Sequence, residues 1–129
     1  MKLLVIDIQK GITDERLYNF ENFIKNTVRL INAARQNKVE VIYVQHDDGE
    51  DTLMIVGLQT NFCIDASVKS AFERGFTVII PAETNSTFSN DYMDGETTYK
   101  YYNEMMWPKR FAKCISVDNA VEMLRKHAL

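Results

Sequence analysis

Cys63 and Asp7 are the residues whose types and surroundings suit covalent chemistry in this chain. Cys63 follows a polar loop, Gln59-Thr60-Asn61-Phe62, that leads from an apolar run into a helical pattern. A thiol in the first turn of a helix meets unpaired backbone N–H groups and the positive end of the helix dipole, and both favour the nucleophilic thiolate. Asp7 lies within LLVIDIQ. An unpaired carboxylate there would carry a heavy desolvation cost, so it stands at a strand end, is paired, or is functional. Near Cys63 it would take the thiol proton and later return it to a leaving group. Plainer readings compete. Most free cysteines are small buried hydrophobes, and an aspartate in such a run also serves as a helix cap or hydrogen-bond acceptor. Cys114, inside FAKCISV, fits the plainer reading well.

Other chemistries are poorly supplied. Two cysteines are too few for a disulfide scaffold, and neither belongs to a CxxC pair. Two histidines, His46 and His127, leave a Cys/His zinc site short of ligands at any familiar spacing. The net charge of -3 and the dispersed Lys and Arg give no footprint for nucleic acid or an anionic membrane. No apolar run approaches the roughly 20 residues that span a bilayer. MKLLVIDIQK, with an Asp inside a short apolar core, does not read as a signal peptide. The expectation is a cytoplasmic protein with a small-molecule partner, no metal and no cofactor.

The elements that must position these residues alternate. LLVIDI, VEVIYVQ, TLMIVGL, FTVIIP and FAKCISV read as strands, and LLVIDI and TLMIVGL are apolar without alternation, as central strands covered on both faces are. Phe20, Phe23, Ile24, Thr27, Val28, Leu30 and Ile31 recur at helical spacing through FENFIKNTVRLINAARQ. A second helix opens at Cys63 and closes at Gly75 as a C-cap. The polar, aromatic stretch from Thr84 to Trp107 becomes partly helical at about Asp94, and a last helix takes Asp118 as its N-cap. This pattern predicts one domain over residues 1–129, an α/β fold with a mainly parallel sheet between two helix layers. Ligands of such sheets sit beyond the carboxyl ends of the strands, where Asp7, His46 and the Leu58–Cys63 loop fall. A flavodoxin-like nucleotide binder fits less well, because no Gly-rich loop follows LLVIDI.

LLVIDIQ followed by IVGLQTNFCIDASVKSAFERGF resembles the isochorismatase-like cysteine hydrolases, a superfamily that includes nicotinamidases and related amidases. The likeness lies in the Asp-x-Gln of Asp7 and Gln9 and in the Gly57-x-x-Thr60-x-x-Cys63 loop. It continues in the small residues Ala66 and Ser67, and VIYVQHDDG looks like the family's second strand. The resemblance implies a three-layer, doubly wound fold with strand order 3-2-1-4-5-6. It makes Cys63 the nucleophile, Asp7 the general base and the backbone N–H groups of Gln59 and Cys63 the oxyanion hole. Gln9 and Leu58 become candidates for contact with substrate, and a cis, non-proline peptide maps to Leu58–Gln59. The implied reaction is attack on an amide-type carbonyl, a thioester with loss of amine, then hydrolysis, in a homo-oligomer.

Two departures accompany the likeness. The metal-binding members use an Asp and several histidines, whereas HDDG offers only His46, Asp47 and Asp48. The family's third catalytic residue, a lysine, lies on a strand between VIYVQ and the Cys-loop strand, and this sequence has no such strand. Five residues, DDGED after His46, separate two strands expected to run the same way on either side of LLVIDI. Parallel strands normally need a crossover of a dozen residues or more. A strand–helix unit is therefore expected to be missing between residues 48 and 52. The rival arrangements are an antiparallel hairpin turning at DDGED and a domain swap. The functional rival is a catalytically inactive domain, truncated across its lysine strand, that serves as a binding or scaffold module.

Overall fold

The computed structural model describes residues 1–6, 8, 13–42 and 52–126. Asp7, Gln9, His46 and the expected junction at 48–52, apart from Thr52 itself, lie outside the described residues. The elements are β1 (Lys2–Ile6), α1 (Phe20–Gln36), β2 (Val41–Ile42), β3 (Thr52–Leu58), α2 (Asp65–Glu73) and β4 (Thr77–Pro81). They continue with β5 (Asn85–Ser86), α3 (Gly95–Lys100), β6 (Lys113–Ile115) and α4 (Val117–Lys126). Single π-helical turns, Thr60–Ile64 and Tyr101–Met106, abut α2 and α3.

The sheet runs β2-β1-β3-β4-β6, with β5 paired to β3, and every pairing is parallel. β1 lies centrally, Leu3 opposite Val41 on one side and Leu4 opposite Ile55 on the other. LLVIDI and TLMIVGL are thus parallel neighbours, and β1 separates β2 from β3 with both parallel to it, which excludes an antiparallel hairpin of β2 and β3. Without the lysine strand, this is the expected order. Among the described residues β2 is an edge strand.

Alternation along the strands divides the core between two faces. Leu3, Val5, Met54, Val56 and Ile79 pack under α1 and α4, against Leu30, Ala34 and Leu124. Ile6, Ile55, Val78 and Ile80 face the other way, against Ile64, Val68 and Trp107. Both sheet faces are covered, so the strands carry continuous apolar runs. The fold is the expected three-layer α/β architecture.

Local signals explain most boundaries. The α2 helix ends in a left-handed glycine, Gly75 at φ 85°. Gly75 N–H donates to the Phe72 carbonyl and Phe76 N–H to Ala71, the double closure of a Schellman motif. Asp94 caps α3, its carboxylate accepting the Thr97 N–H at 2.7 Å. Two expected boundaries move. The cap of α4 is Ser116, whose Oγ accepts the Asn119 N–H at 3.1 Å. Asp118 instead sits in the first turn and pairs with Arg29 of α1 at 2.8 Å. The last strand is shorter than FAKCISV, because Phe111 and Ala112 bend to give their N–H groups to the Trp107 carbonyl. Among the described residues, no helix is long and apolar enough to cross a membrane.

Candidate active site

The chain passes from β1 to β2 on one side and then to β3 on the other, so the topological switch falls between β1 and β3. Open α/β sheets bind ligands beyond the strand ends at such a point. Ile6, the last residue of β1, pairs with Gly57, and the loop to Cys63 starts one residue later. Gly57 has φ 128°, and a β-carbon there would stand 2.0 Å from the Ile6 carbonyl oxygen. Only glycine lets the two strand ends close to this distance. Asp7 is the next residue after Ile6 in the sequence.

Beyond β3 the Leu58–Gln59 peptide is cis, as the resemblance implies. The Gln59 carbonyl accepts two N–H groups, from Phe62 and from Ile64, each at 3.1 Å. These bonds start the helical run at Thr60, three residues before the expected opening, and set Cys63 within its first turn. Cys63 is exposed. Cys114, half-buried on β6, has its thiol pushed up to about 11 by burial.

The loop is held from beneath by polar groups. Thr60 Oγ1 donates to Asn85 Oδ1 at 2.7 Å. The amides of Asn85 and Asn103 exchange hydrogen bonds at 2.9 and 3.0 Å, and Asn103 Nδ2 also donates to the Tyr99 carbonyl. Thr60 and Asn85 are almost wholly buried, so their pairing spares the cost of burying unsatisfied polar groups. Thr87 Oγ1 lies 3.1 Å from Gln59 Oε1 and 2.7 Å from Asn61 Oδ1, joining the two side chains that flank Thr60. One hydroxyl proton serves only one acceptor, so one of these amides presents its NH₂ to the threonine. Further along, Asp65 accepts Trp107 Nε1–H at 2.9 Å and Lys69 Nζ at 2.7 Å, anchoring the base of α2.

The Leu58 side chain is fully buried against Leu17 and Phe23. The side chain therefore belongs to the core and does not face solvent. Among the described residues, no three His, Cys, Asp or Glu side chains gather as a metal site. Sequence reasoning missed β5 and the roles of Asn85, Thr87 and Asn103. The signal was a run of small polar residues, Thr84 to Thr87, directly after a proline-ended strand. Such a run reads as a solvated loop, yet these four are all buried. Each side chain finds a hydrogen-bond partner elsewhere in the chain: the Pro81 carbonyl, Thr60 and Asn103, the Tyr18 carbonyl, and Gln59 and Asn61 in turn.

The isochorismatase domain model matches the chain in two stretches, residues 2–51 and 47–119. The chain belongs to the isochorismatase family. Solved structures agree. A crystal structure of an isochorismatase family protein shares 25% identity, with a TM-score of 0.75 over 89% of this chain and 97% of that one. A cysteine hydrolase from Pseudomonas syringae pv. phaseolicola has a TM-score of 0.82 at 13% identity, covering 97% of this chain and 92% of its own. An isochorismatase family protein from Burkholderia thailandensis has a TM-score of 0.76 at 15% identity, covering 97% and 95%. At these lower identities the likeness is one of fold. The fold is that of the superfamily's hydrolases, and the two matched stretches meet at the junction where the sequence lacks a crossover.

Proposed function

We propose that this isochorismatase-family chain is a cysteine hydrolase of a small amide or related acyl compound. The observation that carries the reading is the exposed Cys63 in the first turn of the helical run that follows β3, the strand whose Gly57 pairs with Ile6, the residue before Asp7 in the sequence. Asp7 takes the thiol proton, and the thiolate adds to the carbonyl carbon. The backbone N–H groups of Gln59 and Cys63 receive the developing oxyanion. Collapse breaks the C–N bond, the amine leaves with the proton held by Asp7, and a thioester remains on Cys63. Water then attacks the thioester, giving its proton to Asp7, and the carboxylic acid departs as the thiol re-forms. Gln9 is proposed to contact substrate. The dispersed basic residues and net charge of -3 favour a small-molecule partner over nucleic acid or an anionic membrane, and a cytoplasmic location is part of the proposal.

The test is incubation with a library of small amides, followed by intact mass measurement. An acyl adduct on Cys63 that disappears with time, and that is absent from Cys63→Ser, supports the reading. A second reading, an inactive domain kept as a binding or scaffold module, is favoured by one observation. Only residues 43–51 separate β2 from β3, strands that flank β1 in parallel, and the family match is broken there. Under that reading Cys63 alkylates readily, but no amide turns over and no adduct forms.

A further inference from the structure

The loop after β5 presents a tyrosine to solvent on a rigid turn. Tyr92 is 96% exposed, although the backbone around it is closely tied. Asn90 Oδ1 accepts the N–H groups of Tyr92 and Met93 at 2.8 and 3.0 Å. Asn90 N–H donates to the Met93 carbonyl, and Ser89 Oγ accepts the Gly95 N–H at 2.9 Å. Holding a large aromatic wholly in water on a preorganised turn gains nothing within the monomer. It is the form of an interface anchor, because little ordering entropy remains to be lost on contact. Asp91 and Asp94 flank the ring and make the tip acidic.

At the opposite end of the sheet lies a groove of about 320 Å³. Its apolar walls are Phe72, Phe76 and Phe111, and its rim carries Lys109, Arg110 and Lys113. Phe72 and Phe111 meet edge to face at 5.3 Å, leaving Phe72 45% exposed. No carboxylate lines the groove, and among the described residues none pairs with the three cations. The groove borders Thr77, opposite the first residue of β3, whereas the tyrosine turn follows Ser86, opposite the last. The two surfaces stand about 20 Å apart along the sheet, so a chain does not fill its own groove.

We propose that the groove takes the Asp91-Tyr92 tip of a second copy of this chain, the ring between the phenylalanines and Asp91 against the cationic rim. The contact joins unlike surfaces, so it is heterologous, and copies assemble head to tail through it. Charge complementarity chooses this occupant: an acidic aromatic tip meets a basic aromatic hollow on a chain whose net charge is otherwise negative.

Sedimentation velocity at low salt, up to about 100 μM, tests the proposal. The wild-type chain self-associates, and Tyr92→Ser and the double variant Arg110→Glu/Lys113→Glu each weaken association at least about tenfold. All three positions are on the surface, so both proteins fold. Mixed together, the two variants form a heterodimer, because one keeps the groove and the other the tip. A photo-crosslinking phenylalanine at position 92 attaches to residues 72–76 or 109–113 of the other copy. A wild-type chain that stays monomeric overturns the proposal, as does association indifferent to Tyr92→Ser or crosslinks confined to other residues. A monomeric chain that instead captures an acidic, tyrosine-bearing peptide would assign the groove to another partner and overturn it equally.

Discussion

Gly57 and Ile6 approach each other so closely that any β-carbon on Gly57 would collide with backbone, 2.0 Å from the Ile6 oxygen and 2.7 Å from its nitrogen. Neither atom is the far end of a flexible side chain, so the clash is relieved only by separating β1 from β3. Those strands carry the approach to Asp7 on one side and the Cys63 loop on the other. Gly57→Ala should therefore cost roughly 3 kcal/mol or more in a urea titration. Any folded fraction should have lost most of its turnover. A variant with wild-type stability would mean that the two strand ends do not need this distance.

The two thiols should react very differently. Cys63 is exposed in a helical first turn, whereas burial pushes the Cys114 thiol up to about 11. Near neutral pH, iodoacetamide should label Cys63 at least about tenfold faster, since the thiolate is the reacting form. Labelling of Cys114 should climb only as pH rises towards 11. A raised thiol also gives a sign for stability. The contribution from Cys114 is complete below its ordinary value of 9.0 and is lost as pH rises through about 11. Cys114→Ala should flatten that alkaline loss, and equal slow labelling of both cysteines would leave Cys63 a structural residue.

Sequence legibility followed the physics of burial. The strands around Asp7 and Cys63 were readable because both faces of a covered parallel sheet demand apolar residues without alternation. Helix α1 was readable in its bounds, yet Val28, on the expected apolar stripe, is 49% exposed. Ala33 and Ala34 fill that helix's contact with the sheet instead. Tertiary hydrogen bonding was not legible. Asn85 and Asn103 are 18 positions apart, and nothing local distinguishes a buried amide pair from loop asparagines. The start of the Cys helix moved because Gln59 uses its carbonyl twice, a choice that belongs to the loop's geometry and leaves no mark in composition.

The proposed base is tested by a change that keeps its shape. Asp7→Asn retains the size of the side chain and removes its ability to accept the thiol proton at neutral pH. Turnover on any amide identified as a substrate should fall by at least about 100-fold, with the unfolding midpoint nearly unchanged. The iodoacetamide rate of Cys63 should fall as well, because the thiolate loses the group that takes its proton. Full activity would remove Asp7 from the mechanism, and an unfolded variant would make it structural.

The amide pair under the Cys loop separates a direct contribution from the cost of orphaned groups. Asn85 Oδ1 accepts both Thr60 Oγ1–H and Asn103 Nδ2–H, and Asn85 Nδ2 donates back to Asn103 Oδ1. Asn85→Ala removes every one of these partners at once inside a buried site. The Thr60 hydroxyl and the Asn103 carbonyl oxygen are left without their bonds, and Asn103 Nδ2 keeps only the Tyr99 carbonyl. Each orphaned group costs about 1–3 kcal/mol, so the variant should lose roughly 2–4 kcal/mol. Thr60→Val is the gentler change. It removes the donor itself and leaves the Asn85 oxygen still satisfied by Asn103, so it should cost only about 1 kcal/mol. The order of the two losses is the informative result, read from urea unfolding of both variants. Equal losses would mean that Thr60 and Asn103 find other partners, and that the pair does not hold β5 and the Tyr101–Met106 turn against the residues leading to Cys63.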